Sequence, residues 1–154
     1  MSSVHQNLSE IKSLPDSAGK KIGIVVSKWN DSITYSLLDG ALNTLLSANV
    51  LKDDILIVEV PGTFELPFGA QRIIKTKKLD AVVCLGCVIQ GETRHFDFIC
   101  DATANGIMRV SLDNELPVIF GVLTTDTLQQ AIDRSGGLHG NKGIEAAATA
   151  LQLL

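Results

Sequence analysis

The sequence predicts an α/β fold, a parallel sheet with helices on both faces, and two observations carry that prediction. Four short runs rich in Val and Ile are nearly continuous rather than alternating, as in parallel strands covered on both sides. The segments between them repeat apolar residues at helical spacing. The first run, 22–27 (IGIVVS), precedes SITYSLLDGALNTLLSA, where Ile33, Leu37, Leu38, Ala41, Leu42, Leu45 and Leu46 form one stripe. The second, 55–60 (ILIVEV), leads into FELPFGAQRIIK, where Pro67 must occupy the first turn or bend the helix. The third, 81–89 (AVVCLGCVI), leads into FDFICDATANGIMRVSL. The fourth, 117–123 (PVIFGVL), is followed by DTLQQAIDR and then NKGIEAAATALQLL. In the first of these two, Asp126 and Gln129 are spaced as a capping box.

At 154 residues the chain suits one domain with a core large enough to need neither metal nor disulfide. Hydrophobic residues make up 45% and charged residues 19%, the balance of a soluble globular protein. A net charge of -4 argues against general nucleic-acid binding, which requires a basic face. The longest apolar runs fall short of the roughly 20 residues that span a bilayer. The N-terminus, MSSVHQNLSEIKSLPDSAGKK, lacks the apolar stretch of a secretory signal, so a cytoplasmic location is expected. Residues 1–19 hold too few apolar side chains for a core and are expected to form an arm, flexible or held by a partner, ahead of a domain over 20–154.

Cys84 and Cys87 spell C-x-x-C, which invites a redox or zinc reading. On a strand, however, residues three apart point to opposite faces and lie about 10 Å apart, beyond the reach of a disulfide. There is no second C-x-x-C and no histidine cluster, so no metal is expected and the cysteines read as small core residues.

In an open parallel sheet, ligands bind beyond the carboxyl ends of the strands. That rule selects four segments: KWND, PGTFELP, QGETRH and TTDT. Trp29, the single tryptophan, and Phe64 each place a large ring in an otherwise polar loop. Such rings either cap the sheet edge or stack on a ligand. In QGETRH, Gly91 permits a tight turn with close backbone approach. Free amides at the start of the next helix can then face an anion, and the Thr93 hydroxyl can cap that helix or bind a phosphate oxygen. His95 is either a surface histidine at a helix end or a group that exchanges a proton near neutral pH. Glu92 argues mildly against phosphate unless its side chain projects outward.

A second glycine-rich basic segment, DRSGGLHGNKG, strengthens the anion reading. Arg134 ends one helix, where its charge suits the dipole, but Lys142 opens the next, where it opposes the dipole. That misfit suggests a functional reason. His139 here and His5 in the arm have no identifiable partner and read as solvated. No dinucleotide, P-loop or nucleophile-elbow motif is present. The residues alone define an α/β protein that binds a small phosphorylated or aromatic ligand.

Assembled, SKWNDSIT, VPGTFELP, GCVIQGETRHFDF, PVIFGVLTTDT and QAIDRSGGLHGNKG resemble lumazine synthases in order and spacing over about residues 20–154. The resemblance implies a flavodoxin-like three-layer α/β/α sandwich with a four-stranded parallel sheet. It also implies a transferase of riboflavin biosynthesis. That enzyme condenses 5-amino-6-(ribitylamino)uracil with 3,4-dihydroxy-2-butanone 4-phosphate to give 6,7-dimethyl-8-ribityllumazine, inorganic phosphate and water, without cofactor. Pentamers with active sites between neighbours are implied, and riboflavin synthase is a candidate functional partner. The short link SGGLHGNKG permits, without requiring, a sixty-subunit shell.

Position by position, the resemblance implies that Trp29 stacks on the pyrimidine and that Asn30 helps hold it. Thr63 and Phe64 offer backbone groups, and Glu65 binds ribityl hydroxyls. Val88 and Ile89 contact the heterocycle through their backbone, with Cys87 as pocket wall where the family more often has Ala or Thr. Gly91, Glu92 and Thr93 meet the phosphate, and His95 transfers the proton. From the adjacent subunit, Phe120 covers the ring, Arg134 pairs with the phosphate and Lys142 reaches a pyrimidine carbonyl. Trp29 in place of the alternative Phe enlarges the stacking face, a feature associated with riboflavin binding. Two rival classes are a non-catalytic flavin-binding shell protein and a flavodoxin-like redox protein. Retention of His95, Arg134 and Lys142 argues against the first, and a preparation free of bound flavin would exclude the second.

Overall fold

A computed structural model describes Ser9, Ile11 and residues 13–154; His5 lies outside the described residues. Strands β1 (Ile22–Ser27), β2 (Ile55–Val60), β3 (Ala81–Ile89) and β4 (Val118–Thr125) form one parallel sheet in the order β2-β1-β3-β4. The helices are α1 (Asp31–Ser47), α2 (Leu66–Thr76), α3 (His95–Asp113), α4 (Leu128–Asp133) and α5 (Lys142–Gln152). A two-stranded antiparallel ribbon, β5 (Ser135–Gly137) and β6 (Gly140–Asn141), joins the last two helices. The architecture is the expected flavodoxin-like α/β/α sandwich.

Strand β1 is buried along its whole length because it lies inside the sheet and is covered on both faces. Ile22, Ile24 and Val26 enter a core shared with α1, α4 and α5, whereas Val25 enters the core shared with α2 and α3. The cysteine pair divides the same way, with Cys87 in the first core and Cys84 in the second, and both are free thiols. Burial pushes the Cys84 thiol up to about 12 and the Cys87 thiol up to about 11, so neither behaves as a reactive thiolate. The described end of the arm also touches the domain: Leu14 packs on the α1-side core, and the Ser17 N–H donates to the Ala48 carbonyl at 2.9 Å.

Three strand ranges match the sequence reading, and the fourth differs. β4 begins at Val118 because Pro117 has no N–H for the ladder, although its carbonyl still accepts from Val82 N–H at 2.8 Å. The strand runs on through Thr124 and Thr125, which pair with Val88 and Ile89. That extension moves the next helix start, so the cap of α4 is Thr127 rather than Asp126. Thr127 Oγ1 accepts from the Gln130 N–H at 3.2 Å, and Gln130 Oε1 accepts from the Asp126 N–H at 2.9 Å. Pro67 sits in the first turn of α2, where its missing N–H costs nothing.

Helices α1 and α5 pack backbone to backbone where they meet. A Cβ on Gly143 would lie 1.9 Å from the Leu37 carbonyl oxygen, a contact no rotamer change relieves. Gly143→Ala is therefore expected to lower stability by about 3 kcal/mol or more through forced separation of α1 and α5. Denaturant unfolding checks this; a loss below about 0.5 kcal/mol, the range of neutral surface changes, would contradict the packing.

Candidate functional site

The carboxyl ends of β1, β2 and β3 open into one cleft of about 870 Å³. It lies where the strand order reverses between β1 and β3, the place a parallel sheet of this order offers a ligand. Trp29 and Asn30 come from the turn after β1, Gly62–Glu65 from the turn after β2, and Cys87–Ile89 from the end of β3. Gly91, Thr93 and His95 close the cleft at the start of α3. Among the four segments selected from the sequence, only TTDT after β4 contributes no lining residue.

Backbone geometry explains how these turns are held together. Strand β3 outruns β1: their pairing stops at Val26 opposite Leu85, while β3 continues against β4 to Ile89. Backbone groups past that point lack a β1 partner and need another. The Cys87 carbonyl finds two, accepting from Asn30 Nδ2 at 3.0 Å and from Thr63 Oγ1 at 3.4 Å. Asn30 makes this reach from a left-handed backbone, φ 60°, a conformation asparagine tolerates better than most residues. Thr63 is itself buried, its carbonyl accepting from Thr103 Oγ1 of α3 at 3.4 Å. Gly86 makes room for it, since a Cβ there would sit 2.8 Å from Thr63 Oγ1.

Around this floor the walls are aromatic and open. Trp29 is 72% exposed, Phe64 54% and Phe98 70%, too much apolar surface in one place to be an accident of folding. The Trp29 backbone is fixed by its N–H to the Pro61 carbonyl at 3.1 Å. Just outside, Lys28 Nζ lies 3.0 Å from Glu59 Oε2, and the Tyr35 hydroxyl donates to Glu59 Oε1 at 2.7 Å. Those two donors hold the Glu59 carboxyl below its ordinary range, Tyr35 first, and the carboxylate in turn raises Lys28 and Tyr35. Glu65 accepts from the Gly62 N–H through Oε2 at 3.0 Å, which braces its own turn.

The QGETRH turn is ordered by Gln90, whose Nε2 donates to the Gly91 carbonyl at 2.9 Å. The His95 N–H lies 3.4 Å from Thr93 Oγ1, so the Thr93 hydroxyl sits at the exposed first turn of α3. A Cβ on Gly91 would meet no atom within 4 Å, so the chain's own packing does not demand glycine there; the space opens on the cleft. Glu92 is exposed and does not line the cleft.

Phe120, Arg134 and Lys142 stand apart from these residues. Phe120 and Lys142 line a separate groove of about 680 Å³ along β4 and α5, together with Ile11 of the arm. Lys142 Nζ pairs with Glu145 Oε2 one turn along α5, which eases its misfit with the helix dipole. The Arg134 guanidinium donates to the Gln130 carbonyl at 3.3 Å. Phe96, Phe98, Ile99 and Ala102 also line the cleft, and none is among the sequence-predicted site residues; the sequence marks their segment only as helical.

A flavodoxin-like domain with an aromatic-walled cleft at the switch point belongs to the small-molecule-binding α/β proteins. A family model described as 6,7-dimethyl-8-ribityllumazine synthase matches residues 19–154. The chain is 56% identical to the 6,7-dimethyl-8-ribityllumazine synthase of Cytophaga hutchinsonii, covering all of this chain and 98% of that one. It is 51% identical to the enzyme of the same name from Parabacteroides distasonis, again over all of this chain and 98% of that one. The protein from Phocaeicola vulgatus with that name is 46% identical, over all of this chain and 93% of its own. The chain belongs to the 6,7-dimethyl-8-ribityllumazine synthase family, a family of transferases of riboflavin biosynthesis. Among the described residues no helix is long and apolar enough to cross a membrane.

The cleft floor makes a prediction. Asn30→Ala removes the bond to the Cys87 carbonyl and places alanine in the left-handed region, an expected loss of about 2 kcal/mol. Asn30→Gly removes only the bond and should cost about half as much. Unfolding followed by the fluorescence of Trp29, the chain's single tryptophan, checks both; equal losses would contradict the backbone argument.

Proposed function

We propose that this chain condenses 5-amino-6-(ribitylamino)uracil with 3,4-dihydroxy-2-butanone 4-phosphate to form 6,7-dimethyl-8-ribityllumazine, releasing phosphate and water. The observation that carries the reading is the convergence of an aromatic wall, a polar floor and a histidine-bearing helix start on one cleft in a chain of this family. Trp29 stacks on the pyrimidine ring, and Asn30 together with the backbone of Thr63, Phe64, Val88 and Ile89 holds its edges. Glu65 keeps a carboxylate oxygen beyond the one that braces its turn, and that oxygen accepts from ribityl hydroxyls. Cys87 fills the wall as a small, unreactive thiol. The amides of Gly91, Glu92 and Thr93, the Thr93 hydroxyl and the start of α3 receive the phosphate.

His95 moves the proton at each stage. The pyrimidine amine attacks the ketone and water leaves to give an imine; loss of a proton from carbon then expels phosphate. The resulting enol tautomerises to a ketone, and attack by the ribitylamino nitrogen closes the ring with loss of a second water. No metal or organic cofactor enters this scheme. Holding two flexible reactants side by side accounts for much of the acceleration.

The cleft is short of cations for this task. Among the described residues His95 is the only cleft-lining one of basic type, and no Lys or Arg lines the cleft, yet a departing phosphate needs a counter-charge. We therefore read Arg134, Lys142 and Phe120 as supplied by the adjacent subunit of a pentamer. Arg134 then pairs with the phosphate, Lys142 reaches a pyrimidine carbonyl and Phe120 covers the ring. The short α4–α5 link fits further assembly into a sixty-subunit shell. A cytoplasmic setting with riboflavin synthase as the next enzyme completes the reading.

An assay with both substrates, following lumazine fluorescence, tests the proposal; a folded, assembled sample that makes no lumazine would overturn it. His95→Ala is expected to lower kcat about 100-fold with a smaller change in either KM. Arg134→Ala is expected to raise KM for the phosphorylated substrate about tenfold or more while sparing the pyrimidine. Equal losses for both substrates would contradict the phosphate assignment.

A further inference from the structure

The ribbon between α4 and α5 joins the two cations directly: the Lys142 N–H donates to the Arg134 carbonyl at 2.9 Å. Beside that bond lies Asn141, only 7% exposed. Its Oδ1 accepts from the Gly143 N–H at 2.8 Å and the Ile144 N–H at 3.4 Å, which caps α5. Its Nδ2 points the other way and donates to the Ser36 carbonyl of α1 at 2.9 Å. From α1, the Ser36 hydroxyl donates back to the Ser135 carbonyl of the ribbon. The Ser9 hydroxyl of the arm spans the Asn141 backbone, accepting from its N–H at 2.6 Å and donating to its carbonyl at 3.1 Å.

Capping alone does not explain this residue. A serine, threonine or aspartate caps a helix as well as asparagine does, but none of them also donates to α1 through an amide. The site is built around that amide: a Cβ on Gly40 of α1 would lie 2.6 Å from Asn141 Oδ1 and 2.9 Å from Nδ2. Helix α1 in turn starts directly after Trp29 and Asn30. Asn141 therefore links the turn that walls the chain's own cleft to the segment that carries Arg134 and Lys142.

We infer that Asn141 is a positioning residue, which pins the β5–β6 ribbon to α1 so that Arg134 and Lys142 are presented in fixed register to the adjacent subunit. The inference rests on the proposed function, which assigns those two cations to the neighbour's cleft. Asn141 touches no substrate; it acts through the two side chains that flank it.

The test uses full-length, assembled enzyme, with solution mass and thermal midpoint measured alongside the kinetics. Asn141→Asp keeps an acceptor for α5 and loses the donor to Ser36. It is expected to raise KM for both substrates together, about tenfold each, with kcat changed far less and the mass unchanged. A residue that served only as a helix cap would show no such paired rise. In an Arg134→Ala background, Asn141→Asp should add nothing to KM for the phosphorylated substrate and still raise KM for the pyrimidine through Lys142. Unchanged KM values for Asn141→Asp, or full additivity with Arg134→Ala, would overturn the inference. If Arg134→Ala and Lys142→Ala both prove silent, the neighbour assignment falls and takes this inference with it. If both matter and Asn141→Asp does not, this inference alone falls. Should Asn141→Asp fail to assemble, Asn141→Ser keeps a capping oxygen without adding a charge and carries the same expectation.

Discussion

A single carbonyl oxygen, that of Cys87, organises the cleft. Strand β3 extends past the point where β1 stops pairing with it, so a backbone acceptor emerges from the sheet without a ladder partner. Asn30 and Thr63 both turn toward that oxygen, and in doing so bring the loops after β1 and β2 onto the end of β3. The left-handed backbone at Asn30 and the absence of a side chain at Gly86 are local costs of meeting there. Once they are met, Trp29 and Phe64 have no apolar interior left to enter and stand exposed as the walls of the cleft.

The same chain carries a second set of groups facing elsewhere. Phe120 and Lys142 border a groove along β4 and α5, and Arg134 lies beside Lys142 at the base of the ribbon, its carbonyl accepting from the Lys142 N–H at 2.9 Å. The cleft offers aromatic surface, amides and an imidazole, whereas the fixed positive charge sits with this second set. Under the proposed reaction this division makes phosphate binding depend on assembly, because a departing phosphate needs a counter-charge beyond the amides and imidazole of the cleft. Helix α1 connects the two, because it begins at the cleft turn and is bonded at Ser36 to the ribbon.

Much of this was legible in the sequence because the central strands are buried on both faces. Continuous Val/Ile runs marked β1, β2 and β3 at their observed limits. The rule that ligands gather at carboxyl ends picked out three of the segments that meet. Pattern reading failed where tertiary context decides. Thr124 and Thr125 look like a polar loop but extend β4 by pairing with Val88 and Ile89. The residues of the β5–β6 ribbon are too few and too rich in glycine to show a strand period. Phe98 and Ile99 lie in a segment legible only as helical, and they face the cleft; spacing reports a shared helix face and not what covers it. Asn141 looked like one polar residue in a glycine-rich link, because its partners Ser36 and Ser9 are more than a hundred residues away.

The central claim, that the cleft of one subunit is completed by Arg134 of the next, is tested most directly by mixing two defective chains. His95→Ala and Arg134→Ala subunits can be co-refolded and assayed together with the phosphorylated substrate well below its KM, where each alone is strongly impaired. If the site is shared, some cleft in the mixed assembly pairs an intact His95 with an intact neighbouring Arg134, and about a quarter of wild-type activity should return at equal mixing. If His95 and Arg134 act within one chain, the mixture will show no more activity than the average of its two components.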